Sequence, residues 1–350
     1  MSSGYDDRET LAATARCESP GGRPGRPTED ERLTQPGDGT QRFHLVTTVL
    51  AARRYFLDGA SKSEIAAELG ISRFKVARLL DGGLRDGIVR IEIDSVPEVD
   101  VVLSRELAVA HGIRSAVVVR TIDGPEEFRR SQLGRACATL LAETLEDGDV
   151  LGISWGRTLH SMVGHLPRLP ACTVVQIVGS VPTLELDVNS LELVRRVAER
   201  AGGPVFPLHV PLILDTPEMA AALRADPHVE RTAAMFGRVT RAIVGIGAWS
   251  PGGSTVRAAL SEADAAALDD AGAVADVCSI VLDADGSEVR AAGLPDRCIA
   301  IRADQLRAVR DVVAIAGGAA KVGPIRAALR SGLIHRLVTN EEAARQLLAG

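Results

Sequence analysis

Residues 42–90 limit the possible folds of this chain more than any other stretch, because the signals for three short helices follow one another closely there. Gly59 ends the first helix, and Ser61 with Glu64 has the spacing of a capping box that begins the second. Gly70 supplies a tight turn, and Ser72 caps the start of the third helix. Two capped helices around a glycine turn predict a helix-turn-helix. Helical spacing predicts the apolar face of the first helix as Leu45, Val49, Ala52, Phe56 and Leu57.

The outer face of the predicted third helix is basic. Val76, Leu79 and Leu80 recur at helical spacing and are expected to face inward. In a helix-turn-helix the N-terminal end of this helix enters the DNA major groove. The predicted DNA-binding residues are the two capping serines and the outward side chains: Ser61, Ser72, Arg73, Phe74, Lys75 and Arg78. The apolar run 88–93 after Gly87 predicts a strand, as in a winged variant.

The charge distribution favours DNA binding by this segment alone. Residues 42–90 hold nine Lys and Arg against five Asp and Glu, whereas the whole chain has a net charge of −6. A small basic module on an acidic body is typical of a chain in which one part contacts phosphate. The alternative is an ordinary helical hairpin with a solvated charged face.

Composition divides the chain into three segments. Residues 1–40 are rich in Pro, Gly and charge and lack periodicity, which predicts a disordered tail. Residues 41–94 then form the predicted DNA-binding domain, and residues 95–350 a larger effector and oligomerisation domain. The chain has no signal-peptide pattern and no apolar run of about 18 residues, so we expect a cytoplasmic protein without membrane contact. Five scattered cysteines without CxxC spacing predict reduced thiols, with no metal and no cofactor.

Short apolar strands alternate with helix-length segments in the larger domain. This alternation favours an α/β fold with a mainly parallel, Rossmann-like sheet covered on both faces. In such sheets the ligand binds outside the carboxyl ends of the strands. The predicted strands lie near residues 116–119, 149–154, 173–178, 241–246, 279–282, 298–301, 312–316 and 337–338.

Four glycine-containing loops follow predicted strands, at the edge where a ligand is expected. Glycine lets backbone amides approach an anion, and neighbouring hydroxyl groups and cations add donors. Lys321 is one of three lysines among 40 Lys and Arg, which favours a specific role for its ammonium group. The predicted small-molecule site consists of Gly152, Ser154, Trp155, Gly156, Arg157, Thr158, Gln176, Gly179, Ser180, Gly245, Gly247, Gly317, Gly318 and Lys321.

Three other interpretations of these loops remain open. Residues 152–156 fit the G-x-S-x-G nucleophile elbow, so Ser154 could act in a hydrolase with His335 and either Asp283 or Asp311. The glycines could also serve only tight turns. A sugar-phosphate isomerase or deaminase would need a positioned acid and base, and these loops offer no convincing pair of carboxylate and histidine.

The ordered set of segments resembles the SorC family, also called SorC/DeoR, of bacterial transcriptional regulators. The resemblance covers residues 42–350 and rests on EIAAELGISRFKVARLL, LGISWGRTL, QIVGS, IVGIG, GAVADV and AGGAAK, in that order. It implies an effector domain similar in fold to glucosamine-6-phosphate deaminase and ribose-5-phosphate isomerase, and assembly as a dimer or tetramer. It also implies that Asp276 joins the glycine loops and Lys321 in a pocket for a sugar, sugar phosphate or polyol.

These features together predict a regulator rather than an enzyme. Its partners are expected to be double-stranded operator DNA, bound by the helix-turn-helix, and a small carbohydrate effector, bound by the C-terminal domain. Effector binding is expected to control operator binding.

Overall fold

The computed structural model describes residues 38–89, 98–120, 124–181 and 190–350, with side chains from residue 45 onward. The predicted disordered tail lies outside the described residues up to residue 37. The chain divides into two compact units, Met1–Asp94 and Ser95–Gly350.

Three helices make up the described part of the N-terminal unit: α1 (Asp38–Phe56), α2 (Lys62–Leu69) and α3 (Arg73–Arg85). The predicted caps begin α2 and α3. The Ser61 hydroxyl accepts from the Glu64 amide at 3.2 Å, and the Glu64 carboxylate accepts from the Ser61 amide at 2.8 Å. Gly70 ends α2 with a left-handed φ of 64°, and the Ser72 hydroxyl accepts from the Lys75 amide at 3.2 Å.

The buried face of α1 differs from the one that helical spacing predicted. Its buried residues are Thr48, Ala51 and Ala52. The reason is a close approach to α3, where a Cβ on Gly83 would lie 3.0 Å from Thr48 Cγ2. Small side chains on α1 permit this approach, and larger ones are left outside. Of the five side chains predicted to face inward, four are instead 38–77% exposed: Leu45, Val49, Phe56 and Leu57.

The inward residues of α3 agree with the sequence pattern. Ile65, Val76, Leu79 and Leu80 are buried together against the alanines of α1. The predicted wing strand is not seen at Ile88 and Val89, which belong to no strand, and its remainder lies outside the described residues.

An eight-stranded sheet forms the centre of the C-terminal unit. Its order is β1-β2-β11-β10-β6-β3-β4-β5. β1 pairs antiparallel with β2, and every other pair of neighbours is parallel. The α/β class expected from the sequence is therefore confirmed. The strands are β1 (Glu98–Val99), β2 (Ser115–Arg120), β3 (Val150–Ile153), β4 (Cys172–Gln176), β5 (Gly202–Phe206), β6 (Arg241–Gly245), β10 (Asp311–Ile315) and β11 (Arg336–Asn340).

Helices cover both faces of this sheet. Successive residues of one strand join different cores: Val312 and Ala314 belong to one, Val313 and Ile315 to the other. Helices α5 to α7 bury their apolar sides in the second core, and α4, α14 and α15 in the first. No described helix is long and apolar enough to cross a membrane. The helices are α4 (Val101–His111), α5 (Glu126–Thr144), α6 (Arg157–Gly164), α7 (Ser190–Ala201), α8 (Pro217–Arg224), α9 (Pro227–Ala233), α10 (Thr255–Ala258), α11 (Glu262–Asp270), α12 (Leu294–Arg297), α13 (Ala303–Ala308), α14 (Val322–Arg330) and α15 (Glu341–Leu348).

A second, three-stranded sheet lies in the same unit. It consists of β7 (Gly247–Ala248), β8 (Ala275–Val277) and β9 (Ile280–Leu282), paired antiparallel. The strand predicted at 298–301 is not a regular strand: Cys298 and Ala300 form only isolated bridges, to Ile213 and Val178. The strand predicted at 279–282 begins one residue later, because Ser279 belongs to the hairpin turn.

Candidate functional site

The strand order of the large sheet changes direction between β3 and β6. From β3 the chain continues outward to β4 and β5, whereas from β6 it continues outward to β10 and β11. At such a switch point the loops after the two central strands turn to opposite sides, which opens a crevice at the carboxyl ends of the strands. The loops after β3, β6 and β10 line one cavity at this position.

The cavity brings together most of the residues that the sequence predicted for the small-molecule site. Three glycine loops and β8 contribute to its wall, so segments far apart in the sequence meet at one site. The predicted residues on the wall are Ser154, Trp155, Gly156, Arg157, Thr158, Gly245, Gly247, Asp276, Gly317 and Lys321.

The loop after β3 is fixed by its own hydrogen bonds. The Ser154 amide donates to the Ile243 carbonyl at 3.1 Å, and the Ser154 hydroxyl accepts from the Gly245 amide at 3.4 Å. Trp155 Nε1 donates to the Gly179 carbonyl at 2.9 Å. These bonds hold the Ser154 side chain and the Trp155 ring in place as parts of the cavity wall.

Asp276 presents a buried carboxylate to the cavity. A Cβ on Gly247 would overlap this carboxylate, so only glycine fits opposite it. Ser254 makes a side-chain hydrogen bond to Asp276, while Asp276 Oδ1 has no partner among the described residues. Burial raises the pKa of Asp276. A buried acceptor without a partner is costly, and a ligand hydroxyl group is a donor that can satisfy it.

Lys321 joins two of the loops at the cavity. Its Nζ donates to the Ile246 carbonyl at 2.7 Å and to the Gly253 carbonyl at 3.2 Å. Burial lowers the pKa of the ammonium group, and the Asp276 carboxylate opposes this effect. Two of the three N–H groups of Lys321 therefore fix the loops, and the charge lies near the Asp276 carboxylate.

Positive charge predominates among the ionisable side chains on the wall. The cations are Arg129, Arg130, Arg157 and Lys321, and the acids are Glu126 and Asp276. Arg130 Nε lies 3.5 Å from Glu126 Oε1, and Arg157 donates to the Gly252 carbonyl at 3.2 Å. Such an arrangement suits an anionic group together with hydroxyl groups.

The predicted DNA-binding side chains are exposed on the N-terminal unit. Arg73, Phe74, Lys75 and Arg78 all lie on the outer side of α3, and Phe74 is 79% exposed. The Ser72 hydroxyl is used by the helix cap, as the Ser61 hydroxyl is in α2. The N-terminal end of α3 therefore offers an aromatic ring between two cations.

The sequence matches known proteins along most of its length. The Sugar-bind family model, which describes a sugar-binding domain, matches residues 97–349. The chain is 32% identical to the erythritol catabolism regulatory protein EryD of Brucella abortus, over 85% of this chain and 95% of that protein. It is 30% identical to the sorbitol operon regulator of Klebsiella pneumoniae, over 86% of this chain and 96% of that protein. The crystal structure of the full-length sorbitol operon regulator SorC from Klebsiella pneumoniae matches with a TM-score of 0.66 over 87% of this chain and 99% of that one.

The chain belongs to the SorC family of transcriptional regulators. The resemblance predicted from the ordered segments is thereby confirmed. In this SorC-family chain, five of the predicted effector residues do not lie on the cavity wall: Gly152, Gln176, Gly179, Ser180 and Gly318.

Packing and hydrogen bonds account for these five residues. A Cβ on Gly152 would lie 2.9 Å from both Ile177 and Val239, so this glycine permits packing inside the sheet. Gly179 packs equally closely on the backbone of Leu212.

The other three residues, Gln176, Ser180 and Gly318, have hydrogen-bond partners within the protein. The Gln176 side chain donates to the Val178 carbonyl at 2.9 Å and accepts from the Leu208 amide at 3.0 Å. The Ser180 hydroxyl lies 2.8 Å from that of Ser190. The Gly318 amide donates to Asn340 Oδ1 at 2.7 Å, so it is not free for an anion.

The fold does not support the interpretation of residues 152–156 as the nucleophile elbow of a hydrolase. Ser154 follows the carboxyl end of β3, whereas His335 precedes β11 and its Nδ1 accepts from the Val312 amide at 3.1 Å. Asp311 lies at the amino end of β10, at the edge opposite Ser154. Asp283 holds a turn by accepting from the Asp285 and Ser287 amides. Within the described residues, no three His, Cys, Asp or Glu side chains cluster as metal ligands do.

Arg129 and Arg130 lie on the cavity wall, although neither was predicted from the sequence. They lie near the start of α5, which follows β2, another parallel strand of the sheet. The carboxyl end of β2 is at the same edge of the sheet as the glycine loops, because β2 runs parallel to β11. The single glycine before α5, Gly124, is followed by Pro125 and not by a second glycine or a hydroxyl residue, so this segment did not match the pattern of the four loops. Cys278 and Ser279, between β8 and β9, were also missed.

Proposed function

We propose that this SorC-family chain binds operator DNA through α3 and releases or retains it in response to a small carbohydrate held in the cavity between β3, β6 and β10. The observation that carries the effector half is Asp276: a buried carboxylate, one of whose oxygens has no partner in the described part of the chain, facing a cavity rich in donors. Sugar and polyol hydroxyl groups donate to such an oxygen and accept from the surrounding arginines and Lys321.

The effector is a polyol or sugar that carries a phosphate. Four cations against two acids leave an excess of positive charge on the wall, and guanidinium groups pair with phosphate oxygens in a bidentate manner. The relatives named for sorbitol and erythritol suggest a polyol or sugar portion of similar size. The phosphate is expected near Arg129, Arg130 and Arg157, and the hydroxyl groups near Asp276.

The DNA half of the function rests on α3. Residues 72–75 at its N-terminal end are exposed, and Arg73, Lys75 and Arg78 supply phosphate and base contacts. Residues 41–94 thus form a helix-turn-helix domain, and residues 95–350 a Rossmann-like effector domain. A dimer or tetramer presents two such helices to one operator, and the effector shifts the assembly by its different affinity for the two arrangements.

A ligand panel tests the effector half. Sorbitol, erythritol, their terminal phosphate monoesters and inorganic phosphate are added to the full-length protein, and thermal unfolding and product formation are both recorded. A bound effector at 100 times its Kd stabilises the protein by about 2.7 kcal/mol. We expect a phosphorylated polyol to stabilise most and none to be converted. Turnover of any member would support a sugar-phosphate isomerase or deaminase instead.

Two lysine variants distinguish the effector response from operator binding. Lys321→Ala removes the ammonium group that joins the loops and abolishes the effector response, with operator binding kept. Lys75→Ala, the reciprocal control, weakens operator binding and lowers its dependence on salt, with effector binding kept. Operator binding is measured by fluorescence anisotropy with and without the effector. An unchanged response in Lys321→Ala would contradict the assignment of the cavity.

Asp276 gives effector binding a pH dependence. Because burial raises the pKa of Asp276 above its ordinary value of 3.8, the carboxylate takes up a proton, and one of its acceptor oxygens becomes a donor, at a higher pH than in an ordinary aspartate. Effector binding therefore weakens in mild acid. Asp276→Asn binds the effector about tenfold more weakly than the wild type at neutral pH, and the difference becomes smaller in acid, where Asp276 itself is protonated. It also increases the free energy of unfolding at neutral pH, because the ionised form of a group with a raised pKa costs stability.

A further inference from the structure

The hairpin between β8 and β9 turns through two residues that both have left-handed backbone. Cys278 has a φ of 53° and Ser279 a φ of 66°, and Val277 pairs with Ile280 beside them. Turns of this type favour Asn and Gly, because a Cβ crowds the following carbonyl oxygen in this conformation. Ala292 is the only other non-glycine residue with a positive φ in the described part of the chain. The turn therefore holds strain that glycine would relieve.

This strained turn is part of the effector cavity. Cys278 and Ser279 both lie on its wall, beside Ser154 and Asp276. The Cys278 thiol is buried and makes a side-chain hydrogen bond with Ser154. Ser279 stays partly exposed, makes a side-chain hydrogen bond with Cys298, and also borders a neighbouring cavity. The left-handed backbone thus determines where the Ser279 hydroxyl is presented.

We propose that Ser279 is a specificity-determining residue of the effector site, whose hydroxyl binds a hydroxyl group of the polyol or sugar. This inference rests on the proposed function. Strained residues persist where the surrounding structure holds them, and they cluster at ligand-binding sites. The cations on the wall can only donate and the ionised Asp276 can only accept, whereas the Ser279 hydroxyl does both. It therefore matches a sugar hydroxyl in either role.

Two substitutions separate the hydroxyl from the backbone conformation. Ser279→Gly removes the hydroxyl and the strain, whereas Ser279→Ala removes the hydroxyl and keeps the strain. Ala292→Gly is the matched control, because Ala292 has a φ of 55° and lies outside the cavity wall. Sorbitol and sorbitol 6-phosphate are titrated into each full-length variant. Fluorescence, to which Trp155 on the wall contributes, reports binding, and thermal unfolding reports stability.

Both Ser279 variants are expected to bind the better probe about fivefold more weakly than the wild type, the loss of one neutral hydrogen bond. The unfolding midpoint rises by about 2–4 °C in Ser279→Gly and in Ala292→Gly, and does not rise in Ser279→Ala. Ala292→Gly keeps wild-type affinity. A higher stability with a lower affinity in Ser279→Gly is the combination that a purely structural serine does not produce.

Four results would overturn the proposal. Wild-type affinity in Ser279→Ala shows that the hydroxyl makes no contact. A loss of affinity confined to Ser279→Gly assigns the effect to rigidity of the turn. If Lys321→Ala loses the probe while both Ser279 variants keep it, the proposed function stands and only the role of Ser279 fails. If the wild-type protein binds neither probe, both proposals fail.

Discussion

Gly247 and Gly317 leave room for polar side chains at the cavity wall. A Cβ on Gly247 would overlap the Asp276 carboxylate, and one on Gly317 would lie 2.7 Å from Asn340 Oδ1. The glycine loops were expected to offer backbone amides to an anion, yet the amide of Gly318 already donates to Asn340. Single glycines in this site therefore act by making space, and side chains supply most of the donors and acceptors.

Phe74 is the residue whose exposure calls for an external partner. An aromatic ring that is 79% exposed gains by burial against an apolar group, and the thymine methyl is the apolar group of the major groove. We predict that an operator selected from random DNA binds the wild type about fourfold more weakly when one contacted thymine is replaced by uracil. Loss of one buried methyl group costs about 0.8 kcal/mol.

In Phe74→Ala the thymine and uracil operators bind equally well. Lys75→Ala serves as the control, because it lowers the salt dependence and keeps the preference for thymine. Since the Phe74 side chain is largely exposed, we expect the variant to fold as the wild type does. Persistence of the thymine preference in Phe74→Ala would exclude this contact.

The contact between α1 and α3 depends on which of two adjacent glycines faces the neighbouring helix. A Cβ on Gly83 would lie 3.0 Å from Thr48 Cγ2 and 3.3 Å from Val89 Cγ2, whereas one on Gly82 has no neighbour closer than 4.0 Å. Both glycines lie inside α3, where alanine favours the helix by about 1 kcal/mol. The two sites therefore form a matched pair in one helix.

We predict that Gly82→Ala stabilises α3 by about 1 kcal/mol. Gly83→Ala is not expected to stabilise α3, because the added methyl group crowds the neighbouring helix. The Thr48 side chain is buried and β-branched, so it has little freedom to move away from a new methyl group. Hydrogen exchange of the α3 amides in the full-length protein measures the difference. Equal protection in the two variants would show that α1 and α3 are less closely packed.

The two edges of the large sheet have different roles in the molecule. The carboxyl ends of β3, β6 and β10 border the cavity, whereas their amino ends carry buried ion pairs. Arg241 donates to Asp149 and to Asp311, each at 2.7 Å. Arg336 also donates to Asp311, at 3.0 Å. These bonds connect the starts of four strands away from the effector site.

Asp311→Ala is expected to lower the free energy of unfolding of the effector unit by about 3 kcal/mol. This is the lower end of the range for breaking a buried ion pair, because Arg241 keeps Asp149 as a partner. Urea unfolding followed by tryptophan fluorescence measures the change, since both tryptophans, Trp155 and Trp249, lie in this unit.

Asp285→Ala is the control for that measurement. Its carboxylate is 90% exposed and pairs with Arg330 at 3.8 Å, so its loss has little effect. Effector affinity of the folded protein should be unchanged in both variants. A loss of less than about 1 kcal/mol in Asp311→Ala would mean that the network contributes little to the fold.

Much of the fold could be read from local sequence. Capping serines, glycine stops and periodic apolar residues determine where α2 and α3 begin and end, because these signals act within one turn of helix. Alternating apolar strands and helices indicated a parallel sheet, since both faces of each strand must be buried. A ligand site was predicted in the loops after β3, β6 and β10, because the carboxyl ends of parallel strands all lie at one edge of the sheet.

The order of the strands, and hence the cavity, was decided only by tertiary structure. Nothing local specifies that β6 pairs with β3 and β10, yet this pairing brings Ser154, Gly245 and Gly317 together at the cavity. Of the QIVGS segment, only Val178 lies on the cavity wall. Likewise, tertiary packing decides which side chains of α1 are exposed and which groups contact Asp276. The sequence by itself determined the elements and their caps through short-range bonds. Long-range packing decided which of the marked residues share a site, because a residue's neighbours across the sheet are set by topology and not by sequence distance.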